Sequence, residues 1–290
     1  MDLNNLQTFI AVAELRSFSQ AAERLFLTQP AVSKRVAALE GELRVALFDR
    51  IGRQVRLTEA GNALLPRARR ILEEVEDSRR AIANLDAEVS GRLTLGSSQH
   101  IGLHRLPDVL RTYAARFPAV RLELSFMPSE EVCAAVEHGD LELGVITLPP
   151  EAPMSLELTP IWDDPMVIVV AADHPLAAAA PCHPCDLAAW PALLPQPQTF
   201  TRELIDRLFR RAGIDLTASQ VTDSLETLRV LVASGLGWSV LPETLLGPGV
   251  VALPLAGFPV TRTLGLVRHR VRTPSNAARA MAELLGEAAL

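Results

Sequence analysis

The chain has 290 residues, 49% of them hydrophobic, with a formal net charge of −6. That length is too great for one small core and suits two or three domains. Three cysteines exclude a disulfide scaffold, no apolar run is long enough to span a membrane, and Met1-Asp2-Leu3 lacks the regions of a signal peptide, so a cytoplasmic protein is expected.

The total charge marks no nucleic-acid binder, but it hides a local difference. Residues 1–57 carry eight Lys/Arg against six Asp/Glu. In this segment Leu6, Phe9, Ile10 and Ala13 form one helical stripe within Leu3–Leu15. Ser17 is a candidate N-cap with Gln20 three residues on, and Ala21, Ala22 and Leu25 give the inner face of a second helix. Thr28 can cap a third helix whose first turn accepts Pro30. Val32, Val36, Leu39 and Leu43 should face inward there, leaving Gln29, Pro30, Ser33, Lys34 and Ala37 outward. Gln and Ser can hydrogen-bond base edges or phosphates, and Lys34 and Arg35 can meet phosphates or guanine. Small alanines holding a support helix close behind an outward polar helix give helix-turn-helix geometry, with the third helix as major-groove reader. An ordinary helical hairpin with a solvated face is the alternative. Next, "LFDRIGRQVRLTEAG" (residues 47–61) reads as two short strands around Gly52, with Arg50, Arg53 and Arg56 placed to flank the reader.

Thr58 can cap a long helix to about Glu88. Leu64, Ala68, Ile71, Val75, Ser78, Ile82, Leu85 and Val89 follow a coiled-coil spacing. Residues 1–57 offer no evident partner for so long a helix, so a dimer is expected. From Ser90-Gly91 onward strands alternate with helices, the pattern of an open α/β sheet. Strands are predicted at Arg92–Gly96, Val120–Phe126, Leu143–Ile146, Met166–Ala171, Ala218–Val221, Trp238–Leu241, Val250–Leu255 and Leu264–Val267. Helices are predicted at Leu103–Arg116, Glu130–Glu137, Thr201–Ala212, Leu225–Ser234 and Ser275–Leu285.

Ligands of such sheets bind beyond the carboxyl ends of the strands. Ser97, Ser98 and Gln99 follow the first strand and open a helix. Thr199, Phe200 and Thr201 open another, and Thr147 and Ser224 can complete the ring. This neutral, hydroxyl-rich set at helix N-termini favours a small oxyanion or carboxylate, although each residue alone also fits a plain N-cap. His100 and His104 have a metal-ligand spacing but no third ligand in view, and a rim role is expected for them. Cys182 and Cys185 in "CHPC" have no second Cys pair, and Cys133 lies on an apolar helix face. No G-x-S-x-G, HExxH or phosphate loop marks an enzyme, and no cofactor or metal is inferred.

Residues 3–61 resemble the winged helix-turn-helix of LysR-type transcriptional regulators, carried by "LQTFIAVAELRSFSQAAERLFLTQPAVSKRVAALEGEL", "LFDR" and "LTEAG". The rest resembles that family's effector domain, itself similar to a periplasmic solute-binding protein, through "RLTLGSSQHIGLHRLPDVL", "FPAVRLELSF", "GDLELGVI", "DHPLA" and "ETLRVLVASGLGWSVLP". The resemblance implies an α/β fold class: a winged helix-turn-helix (1–57), a linker helix (58–90) and an effector domain (91–290). The last has one subdomain at 92–161 plus 267–290 and another at 162–266. It places Gln29, Pro30, Ser33 and Lys34 on the DNA-contacting positions, and Arg50 and Arg53 on the wing. It further implies promoter DNA, a small-molecule effector, a dimer of dimers and RNA polymerase as partners.

Overall fold

The computed structural model describes residues 1–51, 54–84, 88–178, 183–255 and 260–288. Arg53 and Cys182 therefore lie outside the described residues. The chain forms two compact units, residues 1–85 and 86–290.

In the first unit, α1 (Leu3–Leu15), α2 (Phe18–Arg24) and α3 (Gln29–Leu43) precede a hairpin of β1 (Phe48–Ile51) and β2 (Gln54–Leu57). A long helix, α4 (Glu59–Ala83), completes it. Leu6, Phe9 and Val12 of α1 meet Val32, Val36 and Leu39 of α3 in the core, and Ala21 and Ala22 bring α2 in without a bulky side chain between. Phe48 of β1 packs its ring 5.4 Å from Phe9 and 5.7 Å from Phe18. The helix starts are capped as their residue types dictate. Oγ of Ser17 accepts from the Gln20 N–H, and Oγ1 of Thr28 and Thr58 accept from Ala31 and Gly61. Gly61 is fixed by space, because a Cβ there would stand 2.3 Å from the Leu47 carbonyl oxygen.

Two expectations change in this unit. Leu43 is 38% exposed rather than inward, since α3 ends there and Arg44 turns into the left-handed region. The long helix ends at Ala83, short of Glu88, and its first half has a partner in its own chain. Ala68 is fully buried against the α1–α3 core, with Leu64 and Ile71 packed beside it. Further along the seam, Ser78 is exposed and Ile82 is 69% exposed.

The second unit is built on a sheet of order β10-β6-β11-β5-β3-β4, with β9 also paired to β6. In chain order its elements are β3 (Gly91–Ser97), α5 (Gln99–His104), α6 (Pro107–Arg116), β4 (Val120–Phe126), α7 (Ser129–His138), β5 (Leu143–Thr147) and β6 (Leu156–Ala171). Then come α8 (Pro175–Ala178), β7 (Ala192–Leu194), α9 (Phe200–Arg211), β8 (Ala218–Val221), α10 (Leu225–Ala233), β9 (Ser239–Pro242), β10 (Val250–Leu253), β11 (Val260–His269) and α11 (Asn276–Glu287). Strands β3, β4 and β5 run parallel, while β11 pairs antiparallel along its whole length with Leu156–Met166 of β6. These two strands are much longer than their apolar runs suggest. Pro160, Asp163, Asp164 and Pro165 hide the first half of β6, yet Asp164 stands opposite Arg262 of β11 and the pair neutralises itself. The helix expected at Leu103–Arg116 is two helices, because Pro107 lacks an N–H and starts α6 afresh. Separate apolar clusters lie along the long strands. One gathers Leu93, Leu95, Tyr113, Leu264 and Met281; another gathers Ile168, Ile205, Phe209 and Trp238. Cys133 is buried, and burial pushes its thiol up to about 12.

Candidate DNA-reading face and effector cleft

The α2–α3 pair positions the first site. Because Val32, Val36 and Leu39 are drawn into the core, the opposite side of α3 faces outward. Gln29, Pro30 and Lys34 are exposed there, and Ser33 is half-exposed. Gln29 Nε2 donates to Ser33 Oγ at 3.0 Å, so both groups lie together on the first turn and a half. Arg35 is placed differently. It is half-buried and donates from Nη1 to Thr8 Oγ1 of α1 at 3.5 Å. The turn into α3 runs through Phe26, which holds φ 54° and is 95% exposed. In the adjacent hairpin Asp49 faces Arg56 and Arg50 faces Val55 in the backbone register. The other end of α3 is tied to the hairpin: Glu40 Oε1, in the last turn of α3, accepts from the N–H groups of Leu47 and Phe48 at 2.7 and 3.3 Å.

The second site is a cavity of about 620 Å³ within residues 86–290. That is a volume suited to a small molecule. Ser98, Gln99, Thr147, Thr199, Thr201 and Ser224 line it; Ser97 and Phe200 do not. Ser97 is buried in the sheet and donates to the Val145 carbonyl at 2.7 Å, so its hydroxyl is consumed by the fold. Phe200 packs toward Val132 and Leu156, and its backbone N–H donates to Glu130 Oε1 at 2.5 Å. Thr199 and Ser224 serve as N-caps, accepting from Arg202 and Thr227. Ser98 opens α5 without a capping bond, and it lines the cavity.

The expected neutral pocket is corrected by five further lining residues: His100, Glu130, Asp223, Glu226 and Arg262. The N-terminus of α9, expected to await an external anion, already holds the carboxylate of Glu130. Burial holds the Glu130 carboxyl above the usual carboxylate range, ahead of the opposing effect of the Phe200 N–H. Arg262 is 5% exposed. Its Nε donates to Asp164 Oδ2 at 2.7 Å and its Nη1 to Thr201 Oγ1 at 3.1 Å. Arg105 donates to the other Asp164 oxygen at 3.0 Å. One carboxylate thus bridges two guanidiniums, and the Glu226 carboxylate also acts on Arg262. The Arg262 Nη2 is buried and has no hydrogen-bond partner among the described residues. Burial lowers the Arg262 pKa, with Asp164 opposing that shift.

His100 also lines the cavity. Its Nδ1 is 3.1 Å from Glu226 Oε1, and His104 Nε2 is 3.4 Å from the same oxygen. Burial lowers the His100 pKa, while the hydrogen bond with His100 is the main cause that holds Glu226 at about 2. Glu226 is the third acid-base partner that sequence spacing did not reveal, because it is 122 positions from His104 and arrives on α10. Arg262 and Asp164 gave no such signal either, because Asp164 lies among Pro160, Asp163 and Pro165 in β6.

Two family models match this chain. Residues 3–62 match the bacterial regulatory helix-turn-helix protein of the lysR family, and residues 86–290 match the LysR substrate binding domain. The chain belongs to the LysR family. It is a DNA-binding transcriptional regulator with an effector-binding domain. The DNA-binding transcriptional dual regulator OxyR of Escherichia coli strain K12 is 31% identical over 293 residues, spanning 99% of this chain and 94% of that one. An uncharacterized HTH-type regulator from the ibpB-leuC intergenic region of Azotobacter vinelandii is 72% identical over 107 residues, 37% of this chain and 74% of its own length. Among solved structures, full-length CbnR complexed with its target DNA aligns at 26% identity and a TM-score of 0.65, covering 99% of this chain and 100% of that chain. No described helix of this LysR-family regulator is long and apolar enough to cross a membrane.

Proposed function

We propose that this regulator reads a promoter operator through Gln29, Pro30, Ser33 and Lys34 of α3, with Arg35, Arg50 and Arg53 on backbone phosphates or a flanking groove. A small anion in the cleft changes that binding. Arg262 carries this reading. Arg262 lines the cavity with one buried guanidinium nitrogen lacking a hydrogen-bond partner among the described residues, which costs free energy, and a carboxylate or oxyanion that reaches that nitrogen removes the cost with a charge-assisted bond. Ser98 and Thr201 supply hydroxyls beside it, and Gln99, Thr147, Thr199 and Ser224 complete the wall. Ser97 and Phe200 support the wall from behind. The acids Glu130, Asp223 and Glu226 on other parts of the wall select against large polyanions and favour one compact charge.

The open half of α4 supports self-association as a dimer, and the family resemblance extends this to a dimer of dimers in the cytoplasm that contacts RNA polymerase. Two copies would present two reader helices to two half-sites. An effector shifts the assembly only by binding one arrangement better than the other.

A thermal-unfolding panel tests the cleft: sulfate, thiosulfate, phosphate, nitrate, acetylserine, and short aliphatic and aromatic carboxylates. A ligand at about 100 times its Kd stabilises by roughly 2.7 kcal/mol. At least one anion should stabilise the wild type and lose that effect in Ser98→Ala and Thr201→Val. A shift retained by both variants places the ligand elsewhere, and a blank panel removes the small-anion assignment.

A further inference from the structure

We propose that His100, His104 and Glu226 form a divalent transition-metal site in the cleft wall. The three residues offer ligand atoms that all lie within 4.8 Å of one another. They come from two elements. His100 and His104 are one helical turn apart on α5, with ring centroids 4.6 Å apart, and Glu226 sits in the first turn of α10.

The spacing suits a metal. Zinc binds imidazole nitrogen and carboxylate oxygen at about 2.0–2.2 Å, which puts neighbouring ligand atoms of a tetrahedral site about 3.4 Å apart. Glu226 Oε1 stands 3.1 Å from His100 Nδ1 and 3.4 Å from His104 Nε2. Two edges of the coordination figure are therefore already formed, and the ligand atoms of the third lie within 4.8 Å of each other. The donor set, two imidazoles and one carboxylate, matches zinc and its transition-metal neighbours rather than magnesium or calcium, which prefer oxygen throughout.

An outer contact orients the buried ring. Thr244 Oγ1 lies 3.4 Å from His100 Nε2, the nitrogen that faces away from Glu226. Such a partner fixes which ring nitrogen is presented to a metal. His100 is 4% exposed and so positioned by packing, whereas His104 and Glu226 reach solvent and provide the entry path. His100 and Glu226 also line the 620 Å³ cavity, so the cluster borders the effector space. Arg262 and Ser98, on which the anion assignment rests, are not ligands of this site.

The test is titration of chelator-treated full-length protein with Co²⁺, read by its visible absorption, with Zn²⁺ competing by calorimetry. One Co²⁺ per chain is expected, with the intense absorption of a four-coordinate ion. His104→Ala and Glu226→Gln should each weaken binding by about 100-fold or more, and Thr244→Val by about tenfold. Both principal variants change partly exposed side chains, and circular dichroism with thermal melting in chelator checks that they fold. Thr201→Val should keep the cobalt spectrum whatever it does to anion binding. Absence of stoichiometric uptake overturns the site. So does wild-type affinity in either His104→Ala or Glu226→Gln, since that assigns the ion to other ligands.

Discussion

At the scale of single residues, the reader face and the cleft differ in how plainly they could be read. Gln29, Ser33 and Lys34 were legible because helical spacing sends Val32, Val36 and Leu39 the other way, and the structure places them outward together. Base-edge contacts of such side chains carry about 1–3 kcal/mol of discrimination each. Ser33→Ala with Lys34→Ala should therefore cost at least tenfold in affinity for a duplex selected from random sequence, with an unchanged melting temperature. Fluorescence anisotropy checks it, and retained affinity removes α3 as reader. Arg262, Asp164 and Glu226 were not legible, because their roles depend on contacts 59 to 126 positions away in the chain. Glu130 offers a pH test. Its folded-state pKa is raised from 4.5, so its cost to stability is absent below the unfolded value and develops as pH rises through the carboxylate range. Glu130→Gln keeps an acceptor for the Phe200 N–H without the buried charge. The variant should gain stability over wild type as pH rises through that window, then hold a constant margin at neutral pH. Urea denaturation at a series of pH values checks this, and a margin that shrinks with rising pH contradicts it.

At the scale of elements, apolar periodicity located most helices and the shorter strands but misjudged where they end and what they touch. Pro107 divided one expected helix, and prolines and aspartates concealed half of β6. The long α4 is the instructive case. Its seven-residue seam is one continuous pattern in sequence, yet Ala68 and its neighbours bury against α1 while Ile82 faces solvent. A helix pattern shows that a stripe must be covered and is silent on which chain covers it. The proposed dimer contact is this exposed end, with Ser78 as its polar member. Ile82→Asp should weaken self-association by about tenfold or more while leaving the fold of residues 1–85 intact, because Ile82 contributes nothing to that core. Sedimentation velocity over a dilution series checks it. Wild-type association would place the dimer contact elsewhere.

For the whole molecule, a short N-terminal unit with an outward polar face on α3 is joined to a larger unit with a charged cavity. The division at residue 85 and the two family matches agree with a chain that senses with one part and reads DNA with the other. Such coupling requires the ligand to distinguish two arrangements of the assembly, and affinity alone does not supply it. The most direct measurement is a DNase footprint and a bending assay on the selected operator, with and without the anion that stabilises the protein in the unfolding panel. The footprint, apparent affinity or bend should change with the anion for wild type and stay fixed for Thr201→Val. If affinity, footprint and bend are all the same with the anion bound, the cleft does not control DNA binding.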